Sequence, residues 1–271
     1  MAKRGASARN WIRYLPPVAA VFVAWIGFSH NCDAQIAGAP SAGEEELLAL
    51  ASTSHCRLGP WSDPDPAPRG YIKGLVLVYK KSFCEVKNNA DAAAKIISGP
   101  VGSPLTDALS YYGKTGSTAI ERLRMVYTLA MGVGMVESSG NTTDGVDEEK
   151  TIKATAENAE AGIFQTSYDS LNDNIWLGRI YQYYKAHPQE CALSTFMEGV
   201  DDRNKPVIGS GAGAAFQKFT KDCPAFATEY ALVMFRTGRQ HYGTINARRA
   251  KFVDACYDMF RDMELLIDCD H

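Results

Sequence analysis

From Thr118 to Ser138 the residues Ile120, Leu123, Tyr127, Ala130, Met131 and Gly134 recur at spacings of three and four, which sets them on one face of a helix. Thr118 followed by Glu121 forms a capping-box pattern at its start. Gly132 and Gly134 weaken a helix, so they predict close approach of a neighbouring backbone. "YIKGLVLVYKKSF" at 71–83 has enough β-branched residues for a strand, but its length and the missing turn after it favour a helix. "EEELLALAS" and "NNADAAAKIIS" read as shorter helices, separated by the Pro- and Asp-rich loop "GPWSDPDPAPRG". Downstream, the pattern predicts helices from about Ser170 to Lys185, over 191–199 and over 212–221. Pro224 fits the first turn of another that reaches Thr237. A last helix is predicted from about Ile245 to Ile267, with Phe252, Cys256, Phe260, Met263 and Ile267 on one face. No internal repeat or hairpin signal interrupts this series, so the expected class is mainly α.

The N-terminus changes the picture of where the chain acts. Lys3, Arg4, Arg9 and Arg13 precede an apolar run, Leu15 to Phe28, that is short for a membrane span. "AGA" at Ala37 to Ala39 fits a cleavage site, so residues 1–39 read as a signal peptide. No stable membrane insertion is expected after its removal. Residues 40–116 then read as a helical N-terminal extension packed on a main domain, 117–271. Without residues 1–39, 24 basic residues face 30 acidic ones, a net charge of −6, which excludes the basic footprint of a nucleic-acid binder. Cys32 is lost with the signal and six cysteines remain: Cys56, Cys84, Cys191, Cys223, Cys256 and Cys269. An even number in an exported chain implies three disulfides, whose pairing the sequence leaves open.

Chemistry enters at the end of the Thr118–Ser138 helix. Glu137 stands where the helix dipole disfavours an anion. Apolar walls and the negative helix end would raise the pKa of its carboxyl, as a general acid requires. Ser138 and Ser139 follow as possible orienting hydroxyls. A second stretch, "AEAGIFQTSY" at 159–168, mixes a glycine, aromatics and hydrogen-bonding side chains. Gly162 would let a ligand approach the backbone, Gln165 offers a donor and an acceptor to a sugar, and Phe164 and Tyr168 have faces on which a sugar can stack. The plainer reading is a solvated Glu137 at a frayed helix end, then a turn with Phe164 in the core.

Together, Glu137-Ser138 and Gly162-Ile163-Phe164-Gln165 resemble the paired motif of the lysozyme-like glycosidases, particularly goose-type lysozymes and soluble lytic transglycosylases. The resemblance covers roughly residues 117–185. It implies a lysozyme-like helical domain that cleaves the MurNAc–GlcNAc glycan strand of peptidoglycan in the periplasm or outside the cell, with no cofactor and no metal. By position, Glu137 would protonate the glycosidic oxygen, Ser138 would orient substrate or carboxyl, and Gln165 would bind the sugar. The family's later Tyr-Asn-Ala-Gly motif is replaced here by "RQHYGTIN", which makes Tyr242 its counterpart. A hydrolase of the inverting type would need a second carboxylate. Asp144 and Asp147 are nearest by reach, among the loop acids that also include Glu148, Glu157 and Glu160. A transglycosylase needs none.

Other signals carry less. "GSGAGAAF" from Gly209 lacks the strand–turn–helix setting of a dinucleotide loop, and "KTGS" from Lys114 lacks an accompanying Ser-x-x-Lys. The histidines are scattered without metal-ligand spacing. The sequon at Asn141 is expected to be unused, since a glycan there would obstruct the cleft. The rival functional reading is a non-catalytic glycan-binding or envelope structural protein on the same scaffold. The acidic charge favours it mildly, because peptidoglycan is itself anionic.

Overall fold

In the computed structural model the described residues are 42–61, 65–90, 92–146 and 153–270. The expected signal peptide with Cys32, part of the Pro–Asp loop, and Asp147 and Glu148 lie outside them. Helices α1 (Ala42–Thr53), α2 (Arg69–Lys87) and α3 (Ala92–Ile97) fall on the three upstream segments read as helical. The short α4 (Ala108–Tyr111) is capped by Asp107, whose carboxylate accepts the Leu109 amide at 2.9 Å. Helix α5 (Ala119–Ser138) starts at Thr118, whose hydroxyl accepts the Glu121 amide at 3.1 Å. The Glu121 carboxylate reaches back to the Ser117 amide at 2.6 Å, which closes the box one residue earlier than the usual pattern.

The remaining elements are α6 (Ile175–Ala186), α7 (Leu193–Phe196), α8 (Gly211–Asp222), α9 (Pro224–Thr237), α10 (Gly243–Asn246) and α11 (Asp254–Met263). Two boundaries differ from the sequence expectation. Asn174 caps α6 by accepting the Trp176 amide at 2.9 Å, so the predicted 170–185 helix begins late, after a 3₁₀ turn over Asp169–Asn172. The predicted 245–267 helix is cut in two. Arg248 adopts φ +51°, and the chain runs irregularly until α11 because its backbone serves α5 and Tyr112: the Ala250 carbonyl accepts the Tyr112 hydroxyl at 3.1 Å.

Helices α2, α5 and α9 pack against one another at the centre. The whole of α5 from Val126 to Met135 is buried, as is α9 from Pro224 to Arg236, so neither has a polar face there. The close approach predicted at the α5 glycines is present. A Cβ on Gly132 would lie 2.1 Å from the Lys251 carbonyl oxygen, and one on Gly134 would lie 2.2 Å from the Tyr71 hydroxyl. That hydroxyl donates to the α5 backbone, within 2.9 Å of the Ala130 carbonyl oxygen.

Three disulfides close the structure: Cys56–Cys256, Cys84–Cys269 and Cys191–Cys223. The first two join the segments around α1 and α2 to α11 and the chain beyond it. The described residues fall in one compact unit. Among them no strand forms, and no helix is long and apolar enough to cross a membrane.

Candidate functional site

Helix α5 ends in a way that fastens Glu137 to the second motif. Ser139 turns left-handed at φ +54°, and Gly140 follows at φ +74° and donates to the Gly134 carbonyl at 3.1 Å. Ser138 is buried. Its hydroxyl donates to the Ile163 carbonyl at 2.8 Å and accepts the Asn141 amide at 3.1 Å. The two motifs are therefore hydrogen-bonded to each other, and Ser138 holds the turn together from inside instead of facing a ligand. Glu137, one residue earlier, is half-buried.

The turn of Gly162 to Gln165 is clipped at its base, where Ala161 and Thr166 exchange backbone hydrogen bonds of 3.0 and 3.2 Å. Gly162 sits at φ +74°, and a Cβ there would meet Thr220 of α8 at 2.7 Å. Packing on α8, not ligand approach, accounts for this glycine. Phe164 is fully buried, edge-on to Phe235 with ring centroids 6.0 Å apart, so no sugar reaches its face. Tyr168 is half-buried against Phe216 at 5.9 Å. Gln165 is left-handed at φ +47° and its side-chain amide donates to the Gly162 carbonyl at 2.9 Å, which fixes the side chain at the wall of a cavity.

That cavity, of about 320 Å³, is lined by Glu160, Gln165 and Thr166, by Ser167, Asp169, Ser170 and Asp173 in and around the 3₁₀ turn, and by Met234, His241 and Tyr242; Tyr168 does not line it. Two of its lining residues, Thr166 and Tyr242, carry hydroxyls that are buried with no hydrogen-bond partner. Buried polar groups are nearly always satisfied, so these two orphans are a local cost to the fold beside the cavity. Burial, followed by the charges of Tyr230, Glu137 and Glu160, holds the Tyr242 phenol well above its ordinary pKa. Tyr242 is thus a neutral donor, and both Glu137 and Glu160 lie close enough to bear on it. Glu160 and Gln165 line the cavity; Glu137 does not.

No protein-family model, curated protein or solved structure matches the chain.

Of the acids suggested as a second carboxylate, Asp144 is buried and engaged elsewhere. It accepts Arg203 Nη1 at 2.7 Å and the Gly145 amide at 2.9 Å, while its carbonyl accepts the Gly162 amide at 2.9 Å. It braces the turn and does not line the cavity. Asp147 lies outside the described residues. Asn141 is buried and its side-chain amide donates to the Asp201 carbonyl at 2.5 Å. Among the described residues no three His, Cys, Asp or Glu side chains gather as metal ligands would. Sequence reasoning did not single out Thr166, Asp173 or His241. Their only signal is spatial, since the cavity joins segments more than 60 residues apart.

Proposed function

We propose that the chain is an exported, peptidoglycan-directed glycosidase or lytic transglycosylase of lysozyme-like type, with Glu137 as general acid. The observation that carries the reading is the convergence on Tyr242. A neutral, partnerless phenol stands on a cavity walled by Gln165 and feels the charge of both Glu137 and Glu160. In this reading the Glu137 carboxyl gives its proton to the glycosidic oxygen as the bond to the anomeric carbon breaks. The oxocarbenium-like carbon is then closed by the sugar's own C6 hydroxyl, which returns a proton to Glu137 and leaves a 1,6-anhydro ring, or by water. The Tyr242 hydroxyl donates to a sugar oxygen and Gln165 to its neighbour. If water is the nucleophile, Glu160 replaces Asp144 as the carboxylate placed to activate it. The disulfides suit an oxidising compartment, the periplasm or the cell exterior.

The test is mass analysis of purified peptidoglycan after incubation with the protein. Anhydro-ended fragments identify a transglycosylase, and fragments heavier by one water (about 18 Da) a hydrolase. Glu137→Gln should abolish either product while leaving circular dichroism and the melting temperature unchanged; lysis retained by that variant removes the assignment. The placement of Glu137 off the cavity wall favours a second reading, a glycan-binding protein that does not cut. Binding to peptidoglycan with no fragment released would select it.

A further inference from the structure

The irregular stretch between α10 and α11 gathers basic charge on one face. Arg248 to Phe252 runs along Tyr111 to Lys114, at the end of α4. Arg248 Nη2 donates to the Tyr111 carbonyl at 3.0 Å, the Tyr112 hydroxyl donates to the Ala250 carbonyl at 3.1 Å, and Lys114 Nζ stands 3.9 Å from the centroid of the Phe252 ring. Lys114, Arg248, Arg249 and Lys251 are thereby brought together, and among the described residues none of the four is in an ion pair. Of the acids nearby, Asp107 is buried against Arg236, Glu121 is held by Ser117, and Asp254 is exposed at the start of α11. The face is opposite in sign to the chain after residue 39, where 24 basic residues stand against 30 acidic ones. Beside it stands Leu105, 73% exposed. Its turn is pinned. The Leu105 amide donates to Ser103 Oγ at 3.2 Å, and Arg239 donates to the Pro104 carbonyl at 2.5 Å while its guanidinium lies 3.8 Å from the Tyr111 ring centroid. We propose that this face docks reversibly on an anionic lipid surface, with Leu105 entering the headgroup layer and the four cations meeting lipid phosphates.

An exposed leucine alone needs no explanation. Held out on a pinned turn beside unpaired cations, it selects among anionic partners. A soluble polyanion would engage the cations and leave Leu105 in water. A lipid surface takes both, since peripheral binding combines buried apolar area with attraction to anionic headgroups. Tyr111, Tyr112 and Phe252 are half-buried beneath the cations, and aromatic rings with one wet edge favour the boundary between water and lipid. Each Lys or Arg near an anionic surface is worth about a fivefold gain in partitioning, and the gain fades within a Debye length. Four such residues and one leucine give adsorption that reverses, not insertion. The face also adjoins the candidate site, because the Tyr242 amide donates to the Arg239 carbonyl at 2.9 Å. Adsorption therefore holds the Tyr242 cavity near the membrane surface. The inference goes beyond the glycan-cleaving reading and does not depend on it.

Vesicle flotation tests this on the protein recovered after export, with its leader removed. The vesicles are phosphatidylcholine alone, or phosphatidylcholine with about one-third phosphatidylglycerol. At low salt the anionic vesicles should bind the protein about tenfold or more tightly than the neutral ones, with the margin shrinking as salt rises. Arg249→Gln/Lys251→Gln should lose about tenfold or more of that binding. The control Lys218→Gln/Arg261→Gln removes the same charge where Asp222 and Asp258 already match it, and should lose less than about twofold. Leu105→Ser should weaken vesicle binding about threefold or more, while its retention on soluble polyphosphate stays unchanged. All the substituted side chains are exposed, and circular dichroism checks that each variant folds. Equal binding to the two vesicles, or equal losses in the patch and control variants, would overturn the proposal. So would undiminished vesicle binding by Leu105→Ser, which would make the face a site for a soluble polyanion. No glycan is present in the assay, so its outcome is separate from whether the chain cleaves one.

Discussion

Tyr242 is an uncomfortable residue. Its ring is well packed, 4.8 Å from that of Phe235, yet its hydroxyl is buried without a partner. An unsatisfied buried hydroxyl costs about 1–3 kcal/mol. Tyr242→Phe keeps the ring and removes the orphan, so it should stabilise the free protein, by up to about 1–3 kcal/mol. If the hydroxyl serves a ligand, the same substitution should weaken glycan binding or slow cleavage about tenfold or more, the factor lost with one neutral hydrogen bond of about 1.4 kcal/mol. Urea denaturation and a peptidoglycan assay read the two effects. A loss of stability would mean that the hydroxyl has a partner in the free protein. Legibility at this scale was uneven. Tyr242 was named through a sequence resemblance, and Gln165 through its chemistry, and both stand on the cavity. Phe164, Gly162 and Ser138 carried the same kind of signal, but the structure uses them for packing and for tying the α5 end to its neighbouring turn. Residue type alone does not separate a side chain that meets a ligand from one that meets α8 or α9.

Helices that the core surrounds were easier to read than those it interrupts. The α5 capping residues and the α9 proline act locally, so their start sites follow from a few neighbouring residues. The break between α10 and α11 is set by distant groups, Gly132 against Lys251 and Tyr112 against Ala250, and no local pattern announces it. The contact between α9 and the chain around α4 is of the same non-local kind. Arg236 and Asp107 are almost wholly buried, 2% and 1% exposed, and face each other at 3.1 Å. Asp107 also accepts the Gly102 amide at 2.7 Å, and Arg236 donates to the carbonyls of Gly99 and Pro100, each at 3.0 Å, and to that of Ile97. The network is fully satisfied, so removing one partner strands the other charge in the interior. Asp107→Ala should therefore cost about 3–5 kcal/mol, read as a lower denaturant midpoint. A cost below about 1 kcal/mol, typical of exposed pairs, would show that water reaches Arg236.

For the described residues as a whole, the disulfides decide how the first and last helices are held to one core. The even count of cysteines after residue 39 was legible, but their pairing was not. The partners are 200, 185 and 32 residues apart, and sequence distance says nothing about which of them meet. Once the pairs are known, separation does carry information. Cross-linking limits the unfolded chain more as the closed loop lengthens, but with Cys84–Cys269 in place Cys56–Cys256 closes only the stretches 56–84 and 256–269, roughly 41 residues against 32 for Cys191–Cys223, so each is worth about 4 kcal/mol on the chain-entropy account. Cys56 and Cys256 are both completely buried and Cys191 is nearly so, so alanine, not serine, is the appropriate replacement in each pair. The double variants Cys56→Ala/Cys256→Ala and Cys191→Ala/Cys223→Ala should therefore lose stability within about 1 kcal/mol of each other, measured by urea denaturation in the absence of reductant. Their places in the fold differ. Cys56 and Cys256 fasten the 3₁₀ turn after α1 to α11, on the side of α5 that also receives Lys251 against Gly132. Cys223 lies at the junction of α8 and α9, close in sequence to Thr220, which packs on Gly162 at the base of the candidate site. Loss of Cys191–Cys223 should therefore cost similar global stability but more ligand affinity than loss of Cys56–Cys256. If both variants lose affinity only in proportion to the fraction unfolded, the cavity is held by the core as a whole and not by the packing of α8 beneath it.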